Sequence, residues 1–187
     1  MRKFNIVIFL TFLTLITGCS GIEVSQDYDI EVDFSKLKTF HWFSAVQKKT
    51  GDLRVDNPLL DSRIRKAVDS SLAQKGYQKI FKGTPDFYIG YNYSILKKIG
   101  SERVRTGIGF GFGGAGRGGM IGIGTGSDVK EYDEGMLVID ITGAANKKLL
   151  WRGTGTRRVY RHSDPAKITK EINENVEKIL SQFPPQP

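Results

Sequence analysis

The chain has 187 residues, 39% of them hydrophobic and 26% charged, and its 28 Lys and Arg against 20 Asp and Glu give a net charge of +8. This composition is typical of one globular domain, and the mean hydropathy of −0.29 excludes a protein with several membrane spans. A single Cys excludes an internal disulfide, and with only two His it excludes zinc sites built from several Cys and His ligands.

The N-terminus has the features of a bacterial export signal. Arg2 and Lys3 form a short positive region, and the uncharged apolar segment 4–17 is too short for a permanent membrane span. The segment ends in a sequence that resembles the lipobox of bacterial lipoproteins, where an aliphatic and two small residues precede an invariant Cys: Ile16, Thr17, Gly18 and Cys19. We therefore predict a signal peptide over residues 1–18, with Ile16, Thr17 and Gly18 recognised by the signal peptidase.

The lipobox resemblance implies cleavage before Cys19, a thioether-linked diacylglycerol on its thiol and an acyl chain such as palmitate on its amino group. Each buried methylene contributes about 0.8 kcal/mol, so two or three such chains hold a protein on a membrane. Ser20 stands where an Asp would favour retention in the inner membrane. We predict an outer-membrane protein that faces the periplasm, with residues 19–26 as lipidated Cys and tether, and with no nucleic-acid partner.

Strand and helix signals follow the predicted tether. Ile30, Val32 and Phe34 alternate with polar residues, which predicts a half-buried strand, and segment 39–43 has strand composition as well. Asn57 and Pro58 are typical of a helix start, and Gly76 of a helix end. Between them, one apolar stripe recurs at helical spacing: Leu60, Ile64, Val68 and Leu72.

The clearest strand is segment 86–96, where apolar and aromatic residues occupy every second position. Segments 135–142 and 148–160 predict two more strands, and the five residues between them suit a hairpin connection. Asp164 and Pro165 begin a second helix with its own apolar stripe, formed by Ile168, Ile172, Val176, Ile179 and Leu180. The fold prediction is therefore one α+β domain over residues 27–184, in the order β-β-α-β-β-β-α, with two helices packed on one face of a mainly antiparallel sheet.

A Gly-rich insertion interrupts this order at residues 107–126, which hold 11 of the 22 glycines. The spacing G-x-G-x-x-G occurs here, but no apolar strand precedes it and no helical pattern follows, so a dinucleotide site is excluded. Apolar residues alternate with glycine on both sides of a turn-like centre, which predicts a hairpin or a loop: Phe110, Phe112, Ile121 and Ile123 are its candidate apolar contacts. Two interpretations stay open, a partner-binding patch and a mobile surface loop.

Charge is distributed unevenly along the chain. Five acids and no base lie between Glu23 and Asp33, and cleavage before Cys19 lowers the net charge to +6. Six bases and no acid lie between Ile141 and Ser163: Lys147, Lys148, Arg152, Arg157, Arg158 and Arg161. These bases are candidate contacts for an envelope anion or partner, namely lipopolysaccharide, peptidoglycan or an acidic protein. The alternative is a solvated charged face that maintains solubility.

Several short elements together resemble one protein family. They include Thr39-Phe40-His41-Trp42, Lys75-Gly76-Tyr77, Asp86-Phe87-Tyr88-Ile89-Gly90-Tyr91 and Leu150-Trp151-Arg152-Gly153. In this order they resemble the domain-of-unknown-function family 4136 over about residues 27–184. The resemblance implies a bacterial cell-envelope lipoprotein, and it implies no reaction and no catalytic residues.

A search for catalytic motifs finds no G-x-S-x-G, H-E-x-x-H or P-loop. His162, Ser163 and Asp164 adjoin in sequence, but this trio is better explained by a helix cap. No cofactor and no metal site are predicted apart from the lipid on Cys19. Two functions remain: a non-enzymatic envelope lipoprotein that binds or scaffolds a partner, and a periplasm-facing hydrolase acting on peptidoglycan or another envelope substrate.

Overall fold

Two layers, a six-stranded sheet and two helices, make up the part of the chain that the computed structural model describes, namely residues 21–44, 49–101, 129–159 and 164–186. The strands are β1 (Ile22–Tyr28), β2 (Thr39–Trp42), β3 (Gln78–Lys79), β4 (Phe87–Ser101), β5 (Val129–Gly143) and β6 (Leu149–Val159). The helices are α1 (Pro58–Gln74) and α2 (Pro165–Ser181). The predicted α+β class is confirmed.

The sheet is mixed, with the strand order β1-β6-β5-β4-β2-β3. The pairs β1–β6, β6–β5 and β5–β4 are antiparallel, whereas β2 runs parallel to both β4 and β3. The prediction of a mainly antiparallel sheet in the order β-β-α-β-β-β-α is therefore wrong. Helix α1 follows β2 and returns the chain to the end of the sheet at which β2 begins. The strands that come after the helix, β3 and β4, therefore run in the same direction as β2 and pair with it in parallel.

The N-terminal strand lies earlier in the chain than its alternating residues predict. Residues from Ile22 onward pair with β6, so segment 22–26 belongs to an edge strand and not to a tether. The predicted strand through Ile30 and Phe34 is instead a turn followed by a 3₁₀ turn at Phe34–Lys36, capped by the Asp33 carboxylate. Apolar and polar residues alternate in turns as well as in strands, so the alternation alone does not identify a strand. The strand that pairs with β1 is β6, which is distant in the sequence, so local sequence does not reveal the position of β1.

Both helices begin where the capping residues predict. The Asn57 side chain accepts a hydrogen bond from the Leu59 amide at 2.9 Å, and the Asp164 carboxylate accepts one from the Lys167 amide at 3.1 Å. Gly76, just beyond α1, has a φ of +87°, a conformation that L side chains rarely adopt. Local sequence signals therefore set the start of both helices and the end of α1.

One hydrophobic core lies between the helices and the sheet. Trp151 is fully buried at its centre, and its ring lies 5.3 Å from that of Phe183, just past α2. The Trp151 Nε1–H donates to the Gln26 side chain at 2.9 Å, which ties edge strand β1 to β6. A carboxylate makes the corresponding link on the other side, because Asp86 accepts hydrogen bonds from the Lys38 and Thr39 amides at the start of β2.

Candidate binding cavity

Many predicted site residues lie outside the described part of the chain. These are Ile16, Thr17, Gly18 and Cys19 of the lipobox, Phe110, Phe112, Ile121 and Ile123 of the Gly-rich insertion, and Arg161. Their predicted roles stay predictions. The other five basic candidates all lie on β6 or on the loop before it.

The acidic and basic segments of the sequence are neighbours in the fold. Asp27 on β1 is the register partner of Arg152 on β6, and the Asp29 carboxylate lies 2.6 Å from Lys148 Nζ. The hydrogen bond from Lys148 holds the pKa of Asp29 below its ordinary value. Arg152 also makes a two-point contact with Asp140 on β5, at 2.7 and 2.8 Å. Acidic residues of the same domain therefore neutralise part of the predicted basic surface.

The remaining three bases do not all lie on the same face of the sheet. Lys147 Nζ lies over the Tyr88 ring at 3.9 Å, and the Arg158 guanidinium lies over the Tyr132 ring at 4.2 Å. Arg157, one position from Arg158, lies on the opposite, helix-covered face of β6, as strand alternation requires. The structure therefore does not bring the five described bases together into one patch.

A cavity of about 260 Å³ lies between the two helices and strands β4–β6. Most of its wall is aliphatic: Leu60, Ile64, Ile95, Leu137, Val159, Ile168 and Ile172. Six polar residues reach it: Arg54, Tyr93, Asp133, Arg157, Glu171 and Asn175. An apolar cavity with a few convergent polar groups is the usual form of a small-molecule site, and this one is slightly smaller than the usual range of about 300–1,000 Å³.

One ion pair marks the mouth of the cavity. Arg54, whose side chain is 47% exposed, lies 3.2 Å from the buried Asp133 carboxylate and 2.7 Å from that of Asp52. The hydrogen bond with Asp52 raises the pKa of Arg54. The guanidinium therefore has two carboxylate partners on the solvent side of the cavity.

A second ion pair lies deeper. Arg157, whose side chain is 19% exposed, lies 3.4 Å from Glu171 and 3.9 Å from Glu174 on α2, and it donates a hydrogen bond to the Glu171 carbonyl at 2.9 Å. All three contacts use its two terminal nitrogens. Its Nε–H is buried and has no hydrogen-bond partner among the residues that the structure describes.

Asn175 is the second buried group with an unsatisfied atom. The residue is only 3% exposed, and its Oδ1 has no partner within the described ranges. The oxygen occupies the space beside Gly155 on β6 where a Cβ would otherwise stand. Because Gly155 has no side chain, the Asn175 side-chain amide of α2 can lie against β6 at this position, which is two residues before Arg157 in the strand. A buried polar atom without a partner costs about 1–3 kcal/mol, so its presence calls for an explanation.

A tyrosine completes the polar set. Burial raises the pKa of the Tyr93 hydroxyl, so this group remains protonated and can donate a hydrogen bond at neutral pH. Gly135 on β5 has no side chain, which leaves room for that hydroxyl beside Val159. A glycine on each of two neighbouring strands thus makes space for a polar group at the cavity.

Two carboxylates, Asp133 and Glu171, line the same cavity. Each is already paired with an arginine, Asp133 with Arg54 at 3.2 Å and Glu171 with Arg157 at 3.4 Å. His41 lies on β2 and contacts the Trp42 carbonyl at 2.8 Å, and it does not line the cavity. Within the described ranges no group of three His, Cys, Asp or Glu is placed to hold a metal, and no helix is long and apolar enough to cross a membrane.

The sequence did not single out the cavity, although it carried one signal. Positions 168, 172, 175 and 179 follow the core-facing spacing of α2, and Asn175 is the polar member of that set. A polar residue in an apolar helix stripe indicates a buried hydrogen-bonding group. Arg157 carried no comparable signal, because it stands in a run of basic residues.

The fold has counterparts among solved structures. A PDZ domain protein from Parabacteroides distasonis matches 89% of this chain at 13% identity with a TM-score of 0.51, and this chain spans only 36% of that protein. A PelC dodecamer from Paraburkholderia phytofirmans matches 86% of this chain and 96% of its own at 12% identity, with a TM-score of 0.46. At such identities the first likeness shows the fold alone.

Comparison with known sequences gives the family. No curated protein sequence matches the chain. The family described as a domain of unknown function, DUF4136, matches residues 24–185, as the short elements of the sequence predict. Because this match covers most of the chain, the protein belongs to the DUF4136 family.

Proposed function

We propose that the protein is a lipid-anchored envelope protein, held on the outer membrane through Cys19, whose domain binds a small ligand without transforming it. One observation carries the binding role: a cavity of about 260 Å³ lies between the helices and strands β4–β6, and seven aliphatic and six polar residues line it. An aliphatic wall with a few polar groups is the usual form of a small-molecule site. The anchor rests on the lipobox resemblance alone.

The anchor is tested by Cys19→Ala in cells that express the full chain. The wild-type protein is expected to sediment with outer membranes and to incorporate an alkyne-labelled palmitate. The variant is expected to lose the label completely, because the thiol that takes the diacylglycerol is absent. Ser20→Ala is the matched control and retains both label and fractionation. A wild-type protein without label would contradict the proposed anchor.

The binding role is tested by filling the cavity. Ile172 lines the cavity and is only partly buried, so Ile172→Trp is expected to occupy part of the space with little loss of stability. Protein is extracted from membranes with styrene–maleic acid, without detergent, and its bound small molecules are quantified by mass spectrometry. The variant is expected to retain at least tenfold less ligand than the wild type.

Leu59→Trp is the control for this experiment, because Leu59 is exposed on α1 and does not line the cavity. It is expected to retain as much ligand as the wild type. Equal small-molecule content in all three proteins would contradict a binding cavity. Recovery of a cleaved product together with its precursor would favour the second candidate, a hydrolase, for which the pair of carboxylates Asp133 and Glu171 is the supporting observation.

A further inference from the structure

Strand β1 begins beside the cavity, close to the predicted lipid anchor. Its first residue, Ile22, is the register partner of Arg157, which lines the cavity, and neighbouring strands are about 4.8 Å apart. Cys19 stands three residues before Ile22, and three residues of chain span at most about 11 Å. A lipid on Cys19 would therefore hold the start of β1 close to the membrane surface.

The two ends of the sheet lie at different distances from this anchor. From Ile22 to Tyr28, β1 advances six residues, or about 20 Å at about 3.4 Å per residue. Ile30 lies in the turn beyond Tyr28, at the end of the sheet that is farther from Cys19. We call the end at which β1 begins the proximal end and the opposite one the distal end.

An ion pair places Leu53 at the proximal end. The residue after it, Arg54, pairs with Asp133 of β5 at 3.2 Å. The register partner of Asp133 is Val159, two residues beyond Arg157 on β6. Leu53 therefore lies next to the mouth of the cavity, at the end of the sheet at which β1 begins.

The turn that carries Leu53 is closed by its own hydrogen bonds and leaves the leucine outside. Leu53 is 88% exposed, whereas Val55, two residues later, is fully buried. The Asp56 carboxylate accepts hydrogen bonds from the Thr50 and Gly51 amides, each at 2.8 Å. The structure of the turn therefore presents the Leu53 side chain to the surroundings of the proximal end.

A second leucine is exposed at the same end. Leu59 lies in the first turn of α1, and its neighbour Leu60 lines the cavity. A single exposed apolar side chain is normal on a protein surface, but two leucines at the end nearest to a lipid anchor are placed to enter a bilayer. Two leucines alone bind a membrane weakly. A short tether gives them a local concentration of the order of mM, so that even a weak contact is populated.

We propose that the proximal end of the domain rests on the membrane, with the side chains of Leu53 and Leu59 inserted among the lipid head groups. The mouth of the cavity, marked by Arg54, then opens at the membrane surface, and the distal end with Ile30 points away from it. This inference rests on the proposed anchor at Cys19 and adds the surface by which the domain contacts the bilayer.

The test places a fluorophore at each end of the domain. Cys19 is the only Cys of the chain and its thiol carries the lipid, so an introduced Cys is the one free thiol. Lipidated mature protein with Leu53→Cys, Leu59→Cys or Ile30→Cys is labelled with the fluorophore NBD and bound to phosphatidylcholine vesicles. The labels at positions 53 and 59 are expected to lose about half of their emission when the vesicles contain lipids with a spin label near the head group, because both labels lie among the head groups.

Ile30→Cys is the matched control, because Ile30 is 87% exposed, as Leu53 is, but lies at the distal end. It carries the same apolar fluorophore, and its emission is expected not to change when the spin-labelled lipids are present. All three substituted residues are exposed, so the labelled proteins are expected to fold like the wild type.

Two results would overturn the proposed orientation: equal quenching at all three positions, or no quenching at positions 53 and 59 in protein that sediments with the vesicles. In both cases the anchor stands, because the protein is still lipidated and bound to the membrane. A wild-type protein that incorporates no palmitate label in cells would remove the anchor, and the proposed orientation would fail with it.

Discussion

Replacing Trp151 with Ala is expected to lower the free energy of unfolding by about 3–5 kcal/mol, the usual cost of truncating a large buried aromatic side chain. Trp151 is fully buried and packs against Phe183 at a ring separation of 5.3 Å. The substitution also leaves the Gln26 side chain, which accepts from the indole N–H, without this partner. Since small domains are stable by only about 5–15 kcal/mol, the variant should be close to unfolding.

Urea denaturation followed by far-UV circular dichroism measures this loss. Phe81→Ala is the control, because Phe81 is 78% exposed and its truncation is expected to change stability by less than about 0.5 kcal/mol. Trp151→Phe keeps most of the apolar volume and should fall between the two. A loss below about 1 kcal/mol in Trp151→Ala would contradict the position of this residue at the centre of the core.

Gly153→Ala is expected to destabilise the domain by about 1–3 kcal/mol although it adds only one methyl group. A Cβ at Gly153 would overlap the Trp151 ring on one side and would lie 2.5 Å from Ile179 Cγ2 of α2 on the other. Both side chains are fully buried, so neither can move without shifting the packing of α2 against β6. The methyl group therefore forces a rearrangement of the core.

Gly90→Ala on β4 is the matched control. A Cβ there would meet only Asp140 Cβ at 4.0 Å, an ordinary contact, so the change is expected to be within about 0.5 kcal/mol of the wild type. The two variants are compared in urea melts with the slopes checked for equality, because a changed slope would indicate an altered denatured state. Equal stability of the two variants would show that α2 does not press against Gly153.

Local sequence predicts helix α1 but does not predict strand β1. Asn57, Pro58 and the apolar stripe of α1 act within a few residues of one another, so they predict the helix closely. Strand β1 forms by pairing with β6, which lies more than a hundred residues away in the chain. The residues of β1 alone therefore do not predict that pairing. For the same reason the turn at Ile30 carries an alternation that is equally compatible with a strand.

The candidate site shows the same division. The distribution of charge predicted a basic surface, but only the fold reveals that Asp27 and Asp29 lie beside Arg152 and Lys148. The glycines of β6 carry no local signal for their role. The role of Gly155 is visible only in the fold, where α2 places the Asn175 oxygen at the position that a Cβ of Gly155 would occupy.

The sequence by itself determined the two helices, the long strands, the hairpin between β5 and β6 and the family, because capping, periodicity and short ordered elements act over a few residues. Tertiary structure decided the parallel pairing of β2, the edge position of β1 and the cavity between the layers. These features arise where segments distant in the chain meet. The cavity on which the proposed function depends exists only because both helices pack against strands β4–β6.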